Sequence, residues 1–307
     1  MTGIRPNPRL SIGVPVYNGE KYLRVALDSL LAQTFEDFEI IISDNASTDK
    51  TQEICEEYAA KDNRIRYERQ AINQGAAANY NRTFELARGE LFKWAAHDDA
   101  CLPTFLEKCV DALDKAGKDT VLAYTIATTI DADGEAIIPD PYANGDTLRP
   151  SSKFAAARVV HTLRYISLAN ATFGVIRSEH LKRTRLIGPF VASDYVLMIE
   201  LAMLGRFSRL DERLLLRRKH SGGSRHESNP TLADVEKWFR GSSGGKTVLS
   251  PRLKLLLEYY RSVFVADVST ITKLACASVI IPAMTERKLR VATGKWRRQI
   301  MRPASPT

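Results

Sequence analysis

Cysteine is scarce in this chain, with four in 307 residues, at positions 55, 101, 109 and 276. None forms a C-x-x-C pair, which argues against a zinc ribbon or a disulfide-stapled fold and for reduced thiols. No glycine-rich G-x-G-x-x-G follows an apolar strand pattern, which argues against a dinucleotide-binding enzyme. Gly245-Lys246-Thr247 looks like the end of a phosphate loop, but the pattern needs glycine where Arg240 stands. Long apolar runs are also missing. Val263 to Met284 is rich in apolar residues, but Asp267 and Lys273 interrupt it. The uninterrupted part from Leu274 is too short to span a bilayer. The opening residues carry no cationic stretch followed by an apolar run, so the expectation is a cytoplasmic protein without a signal peptide.

What is present is an ordinary globular composition, 44% hydrophobic, with a net charge of +8. A chain this long can bury a large core in one or two domains. The charge is uneven. From Thr285 to Thr307 there are seven Lys or Arg and one acid, Glu286. That end favours an anionic partner, and an anionic membrane surface is the expectation, with no nucleic acid. The protein would then sit peripherally at the inner face of the membrane.

Apolar patterning divides the chain. Leu10–Val16, Phe38–Ser43, Ile65–Arg69 and Leu91–Ala96 read as strands, with continuous runs such as Ile40-Ile41-Ile42 that suit a sheet covered on both faces. Glu20–Gln33, Thr51–Ala60 and Ala76–Ala87 read as the intervening helices. This alternation predicts an α/β fold with a mostly parallel central sheet flanked by helices. Further on, helices are expected at Thr104–Ala116, Lys153–Ser167 and Asp194–Leu204, the last amphipathic. Strands are expected at Val121–Thr129, Thr172–Arg177 and Phe207–Arg218. Asp140–Ser152, Ser221–Pro230 and Gly241–Lys246 read as loops, and Pro251–Arg302 as helices.

Asp98-Asp99 is the most telling feature. An apolar strand pattern ends abruptly in two adjacent carboxylates, and ligands of open α/β sheets bind at the carboxyl ends of strands. Two acids there repel and cost desolvation unless a cation or a hydroxyl engages them. A hard divalent ion shared with substrate phosphates is one such partner.

Four pieces, in order, carry a resemblance: Leu10-Ser11-Ile12-Gly13-Val14-Pro15-Val16-Tyr17-Asn18-Gly19; Phe38 through Ser43-Asp44-Asn45-Ala46-Ser47-Thr48-Asp49; Leu86-Ala87-Arg88-Gly89-Glu90; and His97-Asp98-Asp99. Together they resemble family 2 glycosyltransferases over about the first hundred residues. The resemblance implies the GT-A fold, a nucleotide-sugar donor, a glycan or lipid-linked acceptor, inversion at the anomeric carbon, and Mg²⁺ or Mn²⁺. By the same resemblance Pro15 and Tyr17 would contact base and ribose, and Asp44 or Asn45 would read the base edge. Asn45 departs from the two acids of many members, which bears on the preference for uracil. Tyr80 would lie near the phosphates, where many members carry a basic residue. Asp98 would hold the ribose or donor sugar, and Asp99 would ligate the metal. Ala192-Ser193-Asp194-Tyr195 resembles the motif of the catalytic base, giving Asp194 that role. Arg217-Arg218-Lys219-His220-Ser221-Gly222-Gly223-Ser224 resembles the basic loop over the diphosphate, with His220 as a second metal ligand or a phosphate contact. Flexible by composition, Ser221–Asn229 is expected to act as a lid that excludes water.

The expected layout is a GT-A domain over 1–228, with a nucleotide-binding half to about 105 and an acceptor half from about 106. A linker and basic helical extension would cover 229–307. A nucleotidyltransferase and a non-catalytic binding protein are the competing readings. The first expects a glycine-rich loop where Val14–Gly19 has one glycine, and the second leaves the acidic strand ends unexplained.

Overall fold

The computed structural model describes residues 7–140, 148–221, 237–241 and 250–300, the last ten of these for backbone only. The elements run β1 (Leu10–Val16), α1 (Leu23–Leu31), β2 (Phe38–Asp44), α2 (Thr51–Lys61), β3 (Ile65–Arg69), α3 (Ala76–Glu85) and β4 (Leu91–Trp94). Then come β5 (Ala100–Cys101), α4 (Phe105–Ala116), β6 (Thr120–Ile130), α5 (Ala155–Tyr165), β7 (Val175–Arg177), α6 (Ser178–Leu181), α7 (Ser193–Leu204) and β8 (Arg206–Arg218). Two helices close the chain, α8 (Pro251–Val265) and α9 (Thr270–Ile300).

The eight strands form one sheet in the order β3-β2-β1-β4-β7-β6-β8-β5. β7 runs against both β4 and β6, and β5 runs against β8, while the other pairs are parallel. Six strands therefore share one direction, as the alternating pattern requires. Every residue of β1 and β2 is buried, because helices cover both faces. Leu23, Leu27 and Leu30 of α1, Ile54 and Tyr58 of α2, and Phe105 and Leu113 of α4 build the core on one face. Phe84 of α3 and Leu197, Met198 and Leu201 of α7 build it on the other.

Two expectations need correction. α7 is not amphipathic, since Val196 through Met203 are all buried. One side of it faces the sheet, and Val196, Ile199 and Met203 face a third core with α5, α8 and α9. Glu200 survives there because Arg185 binds it at 2.7 Å and also binds Glu258 of α8 at 2.7 Å. The helices expected from Pro251 are present, and the apolar stretch from Val263 is divided between them by a break between Val265 and Thr270. The strand expected from Thr172 starts at Val175, after a 3-10 turn over Asn170–Phe173. The expected lid from Gly222 onward, the boundary at 228/229 and the part of the expected loop over 242–246 lie outside the described residues.

Candidate active site

β4 ends at Trp94, and the chain turns through His97-Asp98-Asp99 into the two-residue β5. β5 pairs antiparallel with the end of β8, Ala100 opposite Leu216. Continuing that register puts Asp99 beside Arg217 and Asp98 beside Arg218. This pairing assembles the site from segments more than a hundred residues apart. The Arg218 backbone N–H donates to Asp99 Oδ1 at 2.8 Å, and its Nε donates to the Asp98 carbonyl at 2.9 Å. His220 Nε2 lies 2.9 Å from Asp98 Oδ2. Tyr22 props both basic groups: its ring lies 4.7 Å from the Arg218 guanidinium and 4.6 Å from the His220 ring. Arg217 Nη1 donates to Asn170 Oδ1 at 3.1 Å.

The two carboxylates are pushed apart in proton affinity. Burial and then the charge of Asp98 hold Asp99 well above the usual carboxylate range, against the Arg218 N–H, Arg217 and Lys93. Asp98 is half-buried and partly desolvated, but the His220 hydrogen bond and the nearby His97 hold it below that range. Lys93 is fully buried, with its ammonium on the Phe173 and Trp94 carbonyls and over the Phe105 ring.

A cavity of about 940 Å³ opens over this pair. Pro15, Tyr17, Asn45, Tyr80, Asp98, Asp99, Arg217, Arg218 and His220 all line it, so nine of the eleven residues singled out from sequence converge. Asp44 does not line it. Its fully buried carboxylate accepts from the Ser47 N–H at 2.8 Å and from the Tyr67 hydroxyl at 2.9 Å, with Arg69 Nε at 3.4 Å. Asn45 faces the cavity instead, donating to Asn73 and accepting from the Gln74 N–H, each at 2.9 Å. Asp194 is also absent from the lining. It sits half-buried in the first turn of α7, behind Ala192 in the left-handed conformation (φ 64°). Asp194 lies near enough to the Tyr80 phenol to act on it electrostatically, as do Asp98 and Asp99. Burial raises the pKa of that phenol, and the charges of Asp98, Asp99 and Asp194 raise it further.

Sequence reasoning missed several residues. Tyr22, His97 and Asn79 line the cavity, and Asn79 Nδ2 donates to the Val16 carbonyl at 3.1 Å. Lys93 was legible as a charge inside an apolar strand pattern, which demands a buried negative partner. Conversely, Arg88-Gly89 serves the scaffold: Arg88 binds Glu39 at 2.7 Å, and the Gly89 N–H donates to Ser11 at 2.8 Å.

Among the described residues no three His, Cys, Asp or Glu groups form a protein-only metal cage. Two adjacent carboxylates in a large polar cavity do fit a hard ion that brings waters and phosphate oxygens as its remaining ligands.

The family model described as "Glycosyl transferase family 2" matches residues 11–149. The chain is 28% identical over 272 residues to an uncharacterized glycosyltransferase of Rickettsia typhi, spanning 87% of this chain and 80% of the relative. Its structure is similar to S. aureus TarS 1–349 in complex with UDP-GlcNAc, with a TM-score of 0.63 at 21% identity over 90% of this chain and 72% of that one. It is also similar to the mannosyltransferase PcManGT from Pyrobaculum calidifontis in complex with GDP-Man and Mn²⁺, with a TM-score of 0.54 at 17% identity over 94% and 80% of the two chains. At such identities the two structures speak for the fold.

Proposed function

We propose that this chain, which belongs to glycosyl transferase family 2 through residues 11–149, moves a sugar from a nucleoside-diphosphate donor, a uridine diphosphate sugar first among them, to a hydroxyl of a glycan or lipid-linked acceptor with inversion. Its fold is GT-A, and it is a glycosyltransferase. One observation carries the finer reading: the Asp98-Asp99 turn and the Arg217–His220 segment meet in one cavity large enough for a nucleotide sugar.

Asp98 and Asp99 would hold Mg²⁺ or Mn²⁺ with the donor diphosphate. When bound, the ion supplies charge stabilisation for the departing diphosphate. Arg217, oriented by Asn170, adds a fixed cation at the same cavity wall. His220 is held to Asp98 in this arrangement, which supports a role in orienting that carboxylate. Pro15, Tyr17 and Asn45 would receive the nucleoside. Asp194 would accept the proton of the attacking hydroxyl as the new glycosidic bond forms and the donor C–O bond breaks. Its place in the first turn of α7, in the segment that resembles the base motif, supports that role. Asp194→Asn should leave donor binding near normal and lower transfer about 10²–10⁴-fold, as expected for loss of a general base. Transfer at the wild-type rate would overturn the assignment.

The outer side of α8 and α9 supports a membrane-proximal setting. Cys276, Ile280 and Ala283 of α9 are buried against the protein, while Ile271 is 81% and Phe264 of α8 54% exposed. Leu274, Ile281 and Leu289 continue the exposed stripe at helical spacing, toward the cationic stretch that ends the sequence. No described helix is long and apolar enough to cross a membrane.

A further inference from the structure

We propose that Trp238 is a nucleobase-stacking wall of the cavity, fixed in place by a backbone clasp between Gly75 and Gly241. The inference rests on the nucleotide-sugar reading above and adds a residue that neither the resemblance nor the acidic motif points to.

Two large aromatic side chains stand open inside the cavity, Tyr17 at 43% and Trp238 at 44% exposure. An exposed ring on a convex surface needs no explanation, but two ring faces in a concave site are a platform for a flat ligand. Trp238 does not stand there by chance of a loose loop. Its neighbour Phe239 packs on the core cluster to which α3 and α7 contribute, and its ring stands T-shaped to the indole at 4.8 Å. Arg240 Nε donates to the Pro189 carbonyl at 3.1 Å.

The tightest contact is between glycines. A Cβ on Gly75 would come within 2.4 Å of the Arg240 carbonyl carbon and the Gly241 nitrogen. A Cβ on Gly241 would come within 2.5 Å of the Gly75 nitrogen. Both glycines have positive φ, +86° and +67°, so a side chain at either is excluded by conformation as well as by space. On its other side Gly75 is tied to the cavity: its N–H donates to Asn73 Oδ1 at 2.9 Å, the same oxygen that accepts from Asn45. The clasp therefore joins the segment bearing Trp238 to Asn45, at the end of β2.

That placement selects the ligand part. Asn45 directly follows β2, the acidic pair precedes β5, and both line the same cavity as Trp238. With the phosphates at Asp98-Asp99, the base is the part of the ligand left to meet the wall that Asn45 and Trp238 share. Lys237, also in the wall, adds a cation suited to an anionic ligand.

The test is titration calorimetry of the full-length protein with uridine diphosphate and, separately, inorganic pyrophosphate, each with Mn²⁺. Trp238→Ala should lose roughly tenfold or more of the uridine diphosphate affinity, the size of one base–aromatic stack, and keep its pyrophosphate affinity. Trp238→Phe should recover part of the loss. Gly241→Ala should weaken uridine diphosphate although the indole is intact, which a merely exposed tryptophan does not predict. Unchanged uridine diphosphate affinity in Trp238→Ala, or an equal loss for pyrophosphate, would overturn this inference alone. Wild-type protein that binds no nucleoside diphosphate of any base would overturn the nucleotide-sugar reading together with it.

Discussion

At the scale of single residues, the molecule uses buried charge in two ways. In the cavity, burial and then the charge of Asp98 disfavour the ionised form of Asp99, a cost that a cation beside it would relieve. Behind α7, charge is balanced internally: Arg185 bridges Glu200 and Glu258, and Ser262 donates to Glu200 at 2.7 Å. Burial works to raise the pKa of Glu258, but hydrogen bonds from Lys254 and Arg185 outweigh it and hold the carboxyl below 4.5. A lowered folded-state pKa gives stability that is full above the unfolded value and is lost as pH falls through the folded one. Arg185→Met should therefore cost about 3–5 kcal/mol at pH 7 by leaving two buried acids short of a partner. Below pH 4.5 the wild type should lose stability more steeply than the variant. Denaturant melts at neutral and acid pH measure both. The acidic pair itself was plain in the sequence, because two carboxylates after an apolar run have few structural uses. The choice between Asp44 and Asn45 stayed open, because a short polar loop does not reveal which of two neighbouring side chains turns inward.

At the scale of elements, the strands and helices of the first hundred residues follow the sequence closely, since continuous β-branched runs and a leucine stripe have one reading each. β5 escaped because two residues carry no periodicity, yet its pairing with β8 brings Arg217 and Arg218 to the acids. The character of α7 escaped for another reason. A helix apolar on all sides needs a second layer, and that layer, α8 and α9, comes some fifty residues later in the chain. Gly89 shows how closely β4 is seated. A Cβ there would come within 2.6 Å of the Ser11 nitrogen and 2.8 Å of the Leu91 carbonyl oxygen. Gly89→Ala should destabilise the protein by about 1–3 kcal/mol, the usual cost of overpacking, in equilibrium unfolding. A neutral effect would mean that the Arg88-Gly89 turn has room to shift.

At the scale of the whole molecule, a sheet with helices on both faces presents its acidic strand end to one cavity, and two further helices carry an exposed apolar stripe beside basic sequence. Full-length protein should sediment with vesicles containing anionic lipid, and less so with neutral vesicles or at high salt. Phe264→Ser with Ile271→Ser should weaken that partition without changing nucleotide affinity. Binding that is indifferent to both substitutions would locate the contact elsewhere. The proposed function requires the Asp98-Asp99 cavity to bind a nucleoside diphosphate with a divalent ion. Titrating uridine, guanosine, thymidine and cytidine diphosphates into the wild type and Asp99→Ala, with Mn²⁺ and with chelator, tests it most directly. The expected result is Mn²⁺-dependent binding of one diphosphate, uridine first, that Asp99→Ala abolishes in a folded protein. Binding that ignores both Mn²⁺ and Asp99, or none at all in the wild type, would contradict it.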